Sequence, residues 1–172
     1  MVFAVWLTGI PSSGKSTIAR ELQRELSKLG IKVQILESDE VRKILTPNPR
    51  YDEYERDFFY RALAVIGKYL TDNGVSVIFD ATAHKRLYRE YARKLIRNFI
   101  EVYVYCPLEV AMKRDVKGLY SRALKGIIKT LPGLQVPYEE PVNPEVIVDT
   151  SRLSVRECVD EVVRCLEKMG YI

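Results

Sequence analysis

Residues Gly9-Ile10-Pro11-Ser12-Ser13-Gly14-Lys15-Ser16-Thr17 spell G-x-x-x-x-G-K-[ST], and this motif lies between an apolar run and an amphipathic stretch. Val2 to Leu7 reads as a fully buried strand, and Ser16 to Leu29 carries Ile18, Leu22, Leu26 and Leu29 on one helical face. The glycines therefore occupy a strand-to-helix turn, where backbone N–H groups and the positive end of a helix converge on phosphate oxygens. Gly9 and Gly14 permit a tight cradle with Ile10, Pro11, Ser12 and Ser13 between them. Lys15 reaches the β/γ-phosphates, Ser16 offers its hydroxyl to Mg²⁺, and Thr17 continues into the helix. A chain built this way is expected to bind a nucleoside triphosphate.

Four further apolar or β-branched runs follow, at Lys32–Leu36, Val75–Phe79, Ile100–Tyr105 and Val146–Val148. The intervening pattern predicts helices over Asp39–Leu45, Tyr54–Thr71, Lys85–Asn98, Leu108–Arg114 and Val155–Met169. In the second of these, Phe58, Leu63, Ile66 and Leu70 are expected to face the core, with Asn73-Gly74 ending the helix. Five strands alternating with helices specify an α/β fold, a five-stranded parallel sheet flanked by helices, with ligands gathered at the C-terminal strand ends. Residues Val116 to Tyr138 contain Gly118, Gly126, Pro132, Gly133 and Pro137 among several cations, which reads as a mobile lid with short helical parts. One domain over residues 1–172 accommodates these elements.

Composition narrows the setting. The chain is 47% apolar and 29% charged, as in an ordinary globular protein. The apolar N-terminus meets the phosphate loop within ten residues, which argues against a signal peptide, and no apolar run is long enough to cross a bilayer. A cytoplasmic, membrane-free protein is expected. Cys106, Cys158 and Cys165 lack metal-ligand spacing, and Cys158 and Cys165 share a helix face, so buried thiols are expected. The net charge of +4 suits a small polyanionic substrate at least as well as nucleic acid.

The strand tips gather the candidate chemistry. Phosphoryl transfer needs a cation at the β/γ-phosphates and a group that orients or deprotonates the attacking hydroxyl. Asp80, ending the run Val77-Ile78-Phe79, suits metal support, and Asp39 suits the acceptor, although either also suits a helix cap. Arg42 follows Asp39 on the same helical side, and Arg56, Arg61, Arg86, Lys117 and Lys129 fall in segments expected to rim the crevice. His84, the only histidine, is expected at the surface where a helix starts.

Over close to its full length, and most specifically from Phe99 to Thr150, the chain resembles the adenylylsulfate kinase family, P-loop enzymes of nucleotide-kinase-like fold that phosphorylate adenosine 5′-phosphosulfate (APS) at its 3′-hydroxyl. The resemblance rests on Phe99-Ile100-Glu101-Val102-Tyr103-Val104, Cys106-Pro107-Leu108-Glu109-Val110, Arg114-Asp115 with Lys117-Gly118-Leu119-Tyr120, Gly126 with Ile128-Lys129, Pro137-Tyr138-Glu139, and Asn143-Pro144-Glu145 with Asp149-Thr150. Ser38-Asp39-Glu40-Val41-Arg42 is similar to that family's Asp-Gly-Asp-Asn-x-Arg segment, which implies that Asp39 and Arg42 meet the acceptor. Tyr51-Asp52-Glu53-Tyr54-Glu55-Arg56 is similar to its Phe-Ser-x-x-Asp-Arg, implying that Tyr51 stacks on the acceptor's adenine and Arg56 binds its anionic groups. The same resemblance puts Arg114 at ATP, and Thr82, Ala83, Lys117, Gly118 and Lys129 at the acceptor.

The chain departs from that family at three places. Phe59 replaces an Asn, Leu131 replaces the second aromatic of the adenine sandwich, and Thr82-Ala83-His84-Lys85-Arg86 replaces Ile-Ser-Pro-Tyr/Phe-Arg, whose Ser is a phosphorylation site in some members. Without that Ser, direct in-line transfer is the simpler chemistry. The reading that results is an ATP- and Mg²⁺-dependent APS 3′-kinase, with Lys15 and Asp39 at the reaction centre, Ser16 and Asp80 at the metal, and no nucleic-acid partner. The oligomeric state is open, a homodimer being compatible. Asp80-Ala81-Thr82 also fits a polynucleotide or seryl-tRNA kinase, and a slowly turning nucleotide-gated binding module is the non-enzymatic alternative.

Overall fold

The computed structural model describes residues 1–172. The strands β1 (Ala4–Thr8), β2 (Val33–Glu37), β3 (Ser76–Asp80), β4 (Phe99–Tyr105) and β5 (Val146–Asp149) form one parallel sheet in the order β2-β3-β1-β4-β5. Strand β1 is central because Ala4 to Thr8 are all buried, and every second one of its side chains serves a different face. Phe3, Val5 and Leu7 pack with α1 (Lys15–Lys28) and α7 (Val155–Lys168), while Ala4 and Trp6 pack towards α3 (Glu53–Asp72) and α4 (Arg86–Leu95). The Trp6 ring stacks on Phe79 with centroids 4.5 Å apart. Gly67 lets α3 approach that pair, since a Cβ there would lie 2.2 Å from Phe79 Cζ.

The remaining helices are short: α2 (Ser38–Leu45), α5 (Leu108–Arg114) and α6 (Leu119–Leu124). Their starts and those of the long helices follow local chemistry. The Asp52 side chain accepts from Glu55 N to cap α3, and Ser154 with Glu157 forms a capping box on α7. The register in strand pairing sets Leu7 beside Asp80 and Thr8 beside Tyr103, so the C-terminal tips share one edge of the sheet. No helix is long and apolar enough to cross a membrane.

Three expectations from periodicity fail in detail. Leu29 is 61% exposed, because α1 ends at Lys28 and Gly30 at φ 74° turns the chain away. On α3 Leu63 is buried and Ile66 and Leu70 pack against the core, but Phe58 is 52% exposed and Phe59 takes the buried place, because position 58 falls on the side of the helix opposite Gly67. Helix α4 stops at Leu95, short of Asn98, because Ile96 turns extended and buries its side chain beside Phe99. The segment 116–138 contains α6 and a single bridge between Pro132 and Val136.

Candidate active site

The phosphate loop is shaped by its neighbours. A Cβ at Gly9 would lie 2.3 Å from the Val104 carbonyl oxygen, so only glycine lets the chain leave β1 this close to β4. Gly14 caps α1 at φ 105°, and Ser12 also takes the left-handed region at φ 63°. Four contacts fasten the loop, one of them from Arg114 Nη1 to Ser13 O at 3.4 Å. Thr150 Oγ1 donates to Ser13 O (2.6 Å), Tyr120 Oη donates to Pro11 O (2.7 Å), and Val116 N donates to Ser12 Oγ (3.2 Å). Arg114 holds Thr150 in turn, donating to its carbonyl at 2.8 Å and its hydroxyl at 3.1 Å. Lys15 Nζ donates to the carbonyls of Gly9 (2.9 Å) and Ile10 (3.0 Å). Burial brings its ammonium down to about 8, against the pull of the Asp80 carboxylate.

Asp80 ends β3 and accepts from Ser16 Oγ at 2.6 Å. It is no helix cap: α4 starts six residues later with Lys85 as its N-cap. Asp39 is likewise in the first turn of α2 rather than at its cap, which is Glu37. Its half-exposed carboxylate pairs with Lys117, whose ammonium also lies 3.8 Å from Glu37. Burial alone would lower the Lys117 pKa, but the bond to Asp39 and the charges of Asp39 and Glu37 raise it. Lys15, Ser16, Asp39, Asp80, Thr82, Arg114 and Lys117 line a single crevice of about 460 Å³.

A second cluster flanks this crevice. Arg42 is 7% exposed, with its guanidinium 3.8 Å from the Phe59 ring centroid and 5.2 Å from that of Tyr51. Its buried Nη1 has no hydrogen-bond partner. Arg56, equally buried, sits 5.6 Å from the Tyr51 centroid and donates to Thr130 O at 2.9 Å. Burial pulls its pKa down. Tyr51 is held at φ 57° by the Glu55 carboxylate, which accepts from both Arg50 N and Tyr51 N. The site thus presents two desolvated guanidiniums and an exposed ring beside Asp39.

The segment 81–84 walls the crevice at Thr82, and its carbonyls are all taken. Ala81 O accepts from Trp6 Nε1 (3.1 Å), Thr82 O from Thr8 Oγ1 (2.6 Å), Ala83 O from Arg89 Nη1 (2.5 Å) and His84 O from Glu139 N (2.7 Å). Ala83, at φ 43°, donates its N–H to Tyr60 Oη. Arg89 is 1% exposed and also donates to Glu139 O, while Thr8 bonds Tyr138 Oη at 2.8 Å. Thr8, Tyr60, Arg89 and Tyr138 were not singled out by sequence reasoning. Only Tyr138 carried a signal, as part of Pro137-Tyr138-Glu139.

Several expected positions lie elsewhere. Arg61 pairs with Asp57 on the outer side of α3, and Arg86 donates to Glu140 O, so neither rims the crevice. His84 is buried at 7% exposure, edge-on to Tyr88, because residues 138–140 pack over it. Burial brings its imidazole down to about 4. Leu131 is buried in a cluster with Cys106, Ala111, Tyr120 and Ala123, while Lys129 is exposed and Gly118 caps α6 at φ 67°.

Comparison with known proteins decides the family. The sequence model of adenylylsulphate kinase matches residues 1–149. The chain belongs to the adenylylsulphate kinase family. A probable adenylyl-sulfate kinase from Pyrococcus abyssi is 45% identical over 170 residues, covering 99% of this chain and 98% of that one. One from Archaeoglobus fulgidus is 48% identical over 88% of this chain and 98% of its own length. Among solved structures, the Mycobacterium tuberculosis APS kinase in complex with AMPPNP and APS superposes with a TM-score of 0.91 at 33% identity, covering 96% and 98% of the two chains.

Proposed function

We propose that this chain transfers the γ-phosphoryl group of ATP to the 3′-hydroxyl of APS, giving PAPS. The observation that carries the reading is that the phosphate loop and Asp39 line one crevice, while Arg42, one turn after Asp39 on α2, gathers with Arg56 at the Tyr51 ring. It is supported by the family to which the chain belongs and by the APS-bound relative that superposes along nearly its whole length.

In this reading Lys15 exchanges the Gly9 and Ile10 carbonyls for the β/γ-phosphates, and Arg114 lies over the nucleotide. The Ser16 hydroxyl and the Asp80 carboxylate, hard oxygens already 2.6 Å apart, fit a Mg²⁺ ion. Held by Ser16 and Asp80, such an ion would supply charge neutralisation at the transferred phosphoryl group. Arg42 and Arg56 bind the phosphosulfate oxygens, and Tyr51 stacks on the acceptor adenine. Asp39 orients or deprotonates the 3′-hydroxyl once Lys117, on the lid, swings to the phosphates. The 3′-oxygen bonds to the γ-phosphorus as the bond to the β,γ-bridging oxygen breaks, in a single in-line step with no enzyme-bound phosphate. The working unit in this reading is a homodimer; a hexameric relative exists, the APS kinase from Thiobacillus denitrificans.

A coupled assay of ADP release with and without APS tests the assignment. Release should require APS and saturate with it, vanish in Lys15→Ala, and lose roughly 10² or more in kcat in Asp39→Asn. APS-independent ADP release, or near-normal turnover of Lys15→Ala, would sink it.

A further inference from the structure

Helices α3 and α7 each begin with a capping side chain and carry a glutamate three positions on, yet the two glutamates reach back to different places. On α7 the box closes on the cap itself: Glu157 N donates to Ser154 Oγ at 3.2 Å, and Ser154 N donates to the Glu157 carboxylate at 2.7 Å. On α3 the first half is the same, with Glu55 N donating to Asp52 Oδ1 at 2.9 Å. The second half is displaced upstream. Glu55 Oε2 accepts from Tyr51 N (2.9 Å) and Arg50 N (2.5 Å), the two residues before the cap, and the chain doubles back there with Tyr51 at φ 57°.

Two unfavourable features coincide in this arrangement. A residue with a side chain rests in the left-handed region only where its surroundings hold it, and glycine or asparagine would sit there at lower cost. The other Glu55 oxygen, Oε1, is buried without a hydrogen-bond partner. Neither is needed to start the helix, which Asp52 already caps, and both bonds from Glu55 lie at the surface, where water would satisfy the same N–H groups. What the arrangement does fix is a ring. Tyr51 is held between guanidiniums from two helices, Arg42 of α2 and Arg56 of α3, at 5.2 and 5.6 Å from its centroid, and at 40% exposure it is still reachable. We propose that Glu55 is a positioning residue for the acceptor: it locks Tyr51 in the left-handed conformation, so that the ring already stands where the acceptor's base is to stack. It acts only through that ring, so the role rests on the stacking given to Tyr51 above. A ring set in advance removes its ordering from the binding step; released to negative φ, it would leave the gap between the guanidiniums for part of the time.

A double-mutant cycle in the coupled assay, read as the KM for each substrate, tests the lock. Glu55→Met keeps the side-chain length and fills the place of Oε1 but accepts no backbone hydrogen bond, whereas Glu55→Gln keeps the acceptor. Tyr51→Ala should raise the KM for APS about tenfold or more and leave the KM for ATP alone. Glu55→Met should raise the KM for APS about three- to tenfold, as expected if the ring is in place for only a third to a tenth of the time, again without change for ATP. Glu55→Gln should stay within about twofold of the parent chain, and in the Tyr51→Ala background Glu55→Met should add less than about twofold, because the ring through which it acts is gone. The KM for ATP controls for folding, since a damaged fold would lose both substrates. If Tyr51→Ala weakens APS but Glu55→Met does not, or if Glu55→Met weakens APS equally with and without the ring, the lock is overturned. A silent Tyr51→Ala is a different result, which removes the stacking itself and the lock with it. None of these results decides whether ADP release requires APS, so the reaction and the lock fail separately.

Discussion

Arg42→Met separates what Arg42 does for the fold from what it does for the acceptor. In the folded chain the guanidinium is 7% exposed, lies 3.8 Å from the Phe59 ring centroid, and leaves Nη1 without a partner. The cation–π contact contributes about 1 to 2 kcal/mol when desolvated. The unsatisfied buried N–H costs about 1 to 3 kcal/mol. Methionine keeps an unbranched apolar side chain over the ring and removes both effects, so the net change in stability lies between a loss of about 1 and a gain of about 2 kcal/mol. For a domain of this size that is a shift of only a few degrees in Tm. Acceptor binding behaves differently. A charge-assisted hydrogen bond to APS is worth about 1.5 to 3 kcal/mol, so Kd and KM for APS should rise about 10- to 150-fold while KM for ATP holds. Calorimetric melting with and without APS, alongside the coupled assay, reads both sides: the wild type should gain Tm with APS and the variant should not. A variant that loses more than about 3 kcal/mol and keeps its KM for APS would refute the reasoning, making Arg42 a core residue.

Two further outcomes follow from the same geometry. Thr82 is held through its carbonyl by Thr8, so Thr82→Val should keep at least about a tenth of the activity, a barrier change of no more than about 1.4 kcal/mol, and a chiral γ-phosphate should be inverted; retention of configuration would demand a phosphoenzyme. His84 is neutral when folded, with a pKa of about 4, and titrates near 6.5 when unfolded, so its contribution is present above pH 6.5 and is lost as pH falls towards 4. Urea unfolding should therefore show the wild type losing about 2 kcal/mol more than His84→Gln between pH 7 and pH 5. Parallel pH dependences would show that the imidazole is not desolvated.

The strands and the phosphate loop were legible because their signals are local. Five apolar runs gave the five strands to within two residues or so at either end, and Gly9 and Gly14 marked the turn between β1 and α1. Asp39, Arg42 and Arg56 were candidates from the strand tips and the cationic rim, and Tyr51 came from the resemblance; the structure sets both guanidiniums at the Tyr51 ring and pairs Asp39 with Lys117. Burial set by distant segments was not legible. His84 looked like a helix-start surface residue because residues 138–140, which cover it, lie fifty positions on. The face of α3 that carries Leu63, Ile66 and Leu70 was legible, but with Phe58 and Phe59 adjacent helical periodicity alone did not say which ring joins them. Arg89 read as one cation in a basic helix, and nothing local foretold a side chain 1% exposed that ties Ala83 to Glu139.

The wall at 81–84 is held by its carbonyls, one each to Trp6, Thr8, Arg89 and Glu139. A carbonyl is the same on every residue, so this stretch of backbone can stay in place while the part-exposed side chain at 82 is exchanged. The positions that fix its shape are the distant ones, on β1, α4 and the 138–140 strap. Thr82 lines the crevice and is held through its carbonyl, so under the proposed function a library randomised at 82 alone, with Thr8, Arg89 and Tyr138 untouched, should alter acceptor preference with little effect on folding.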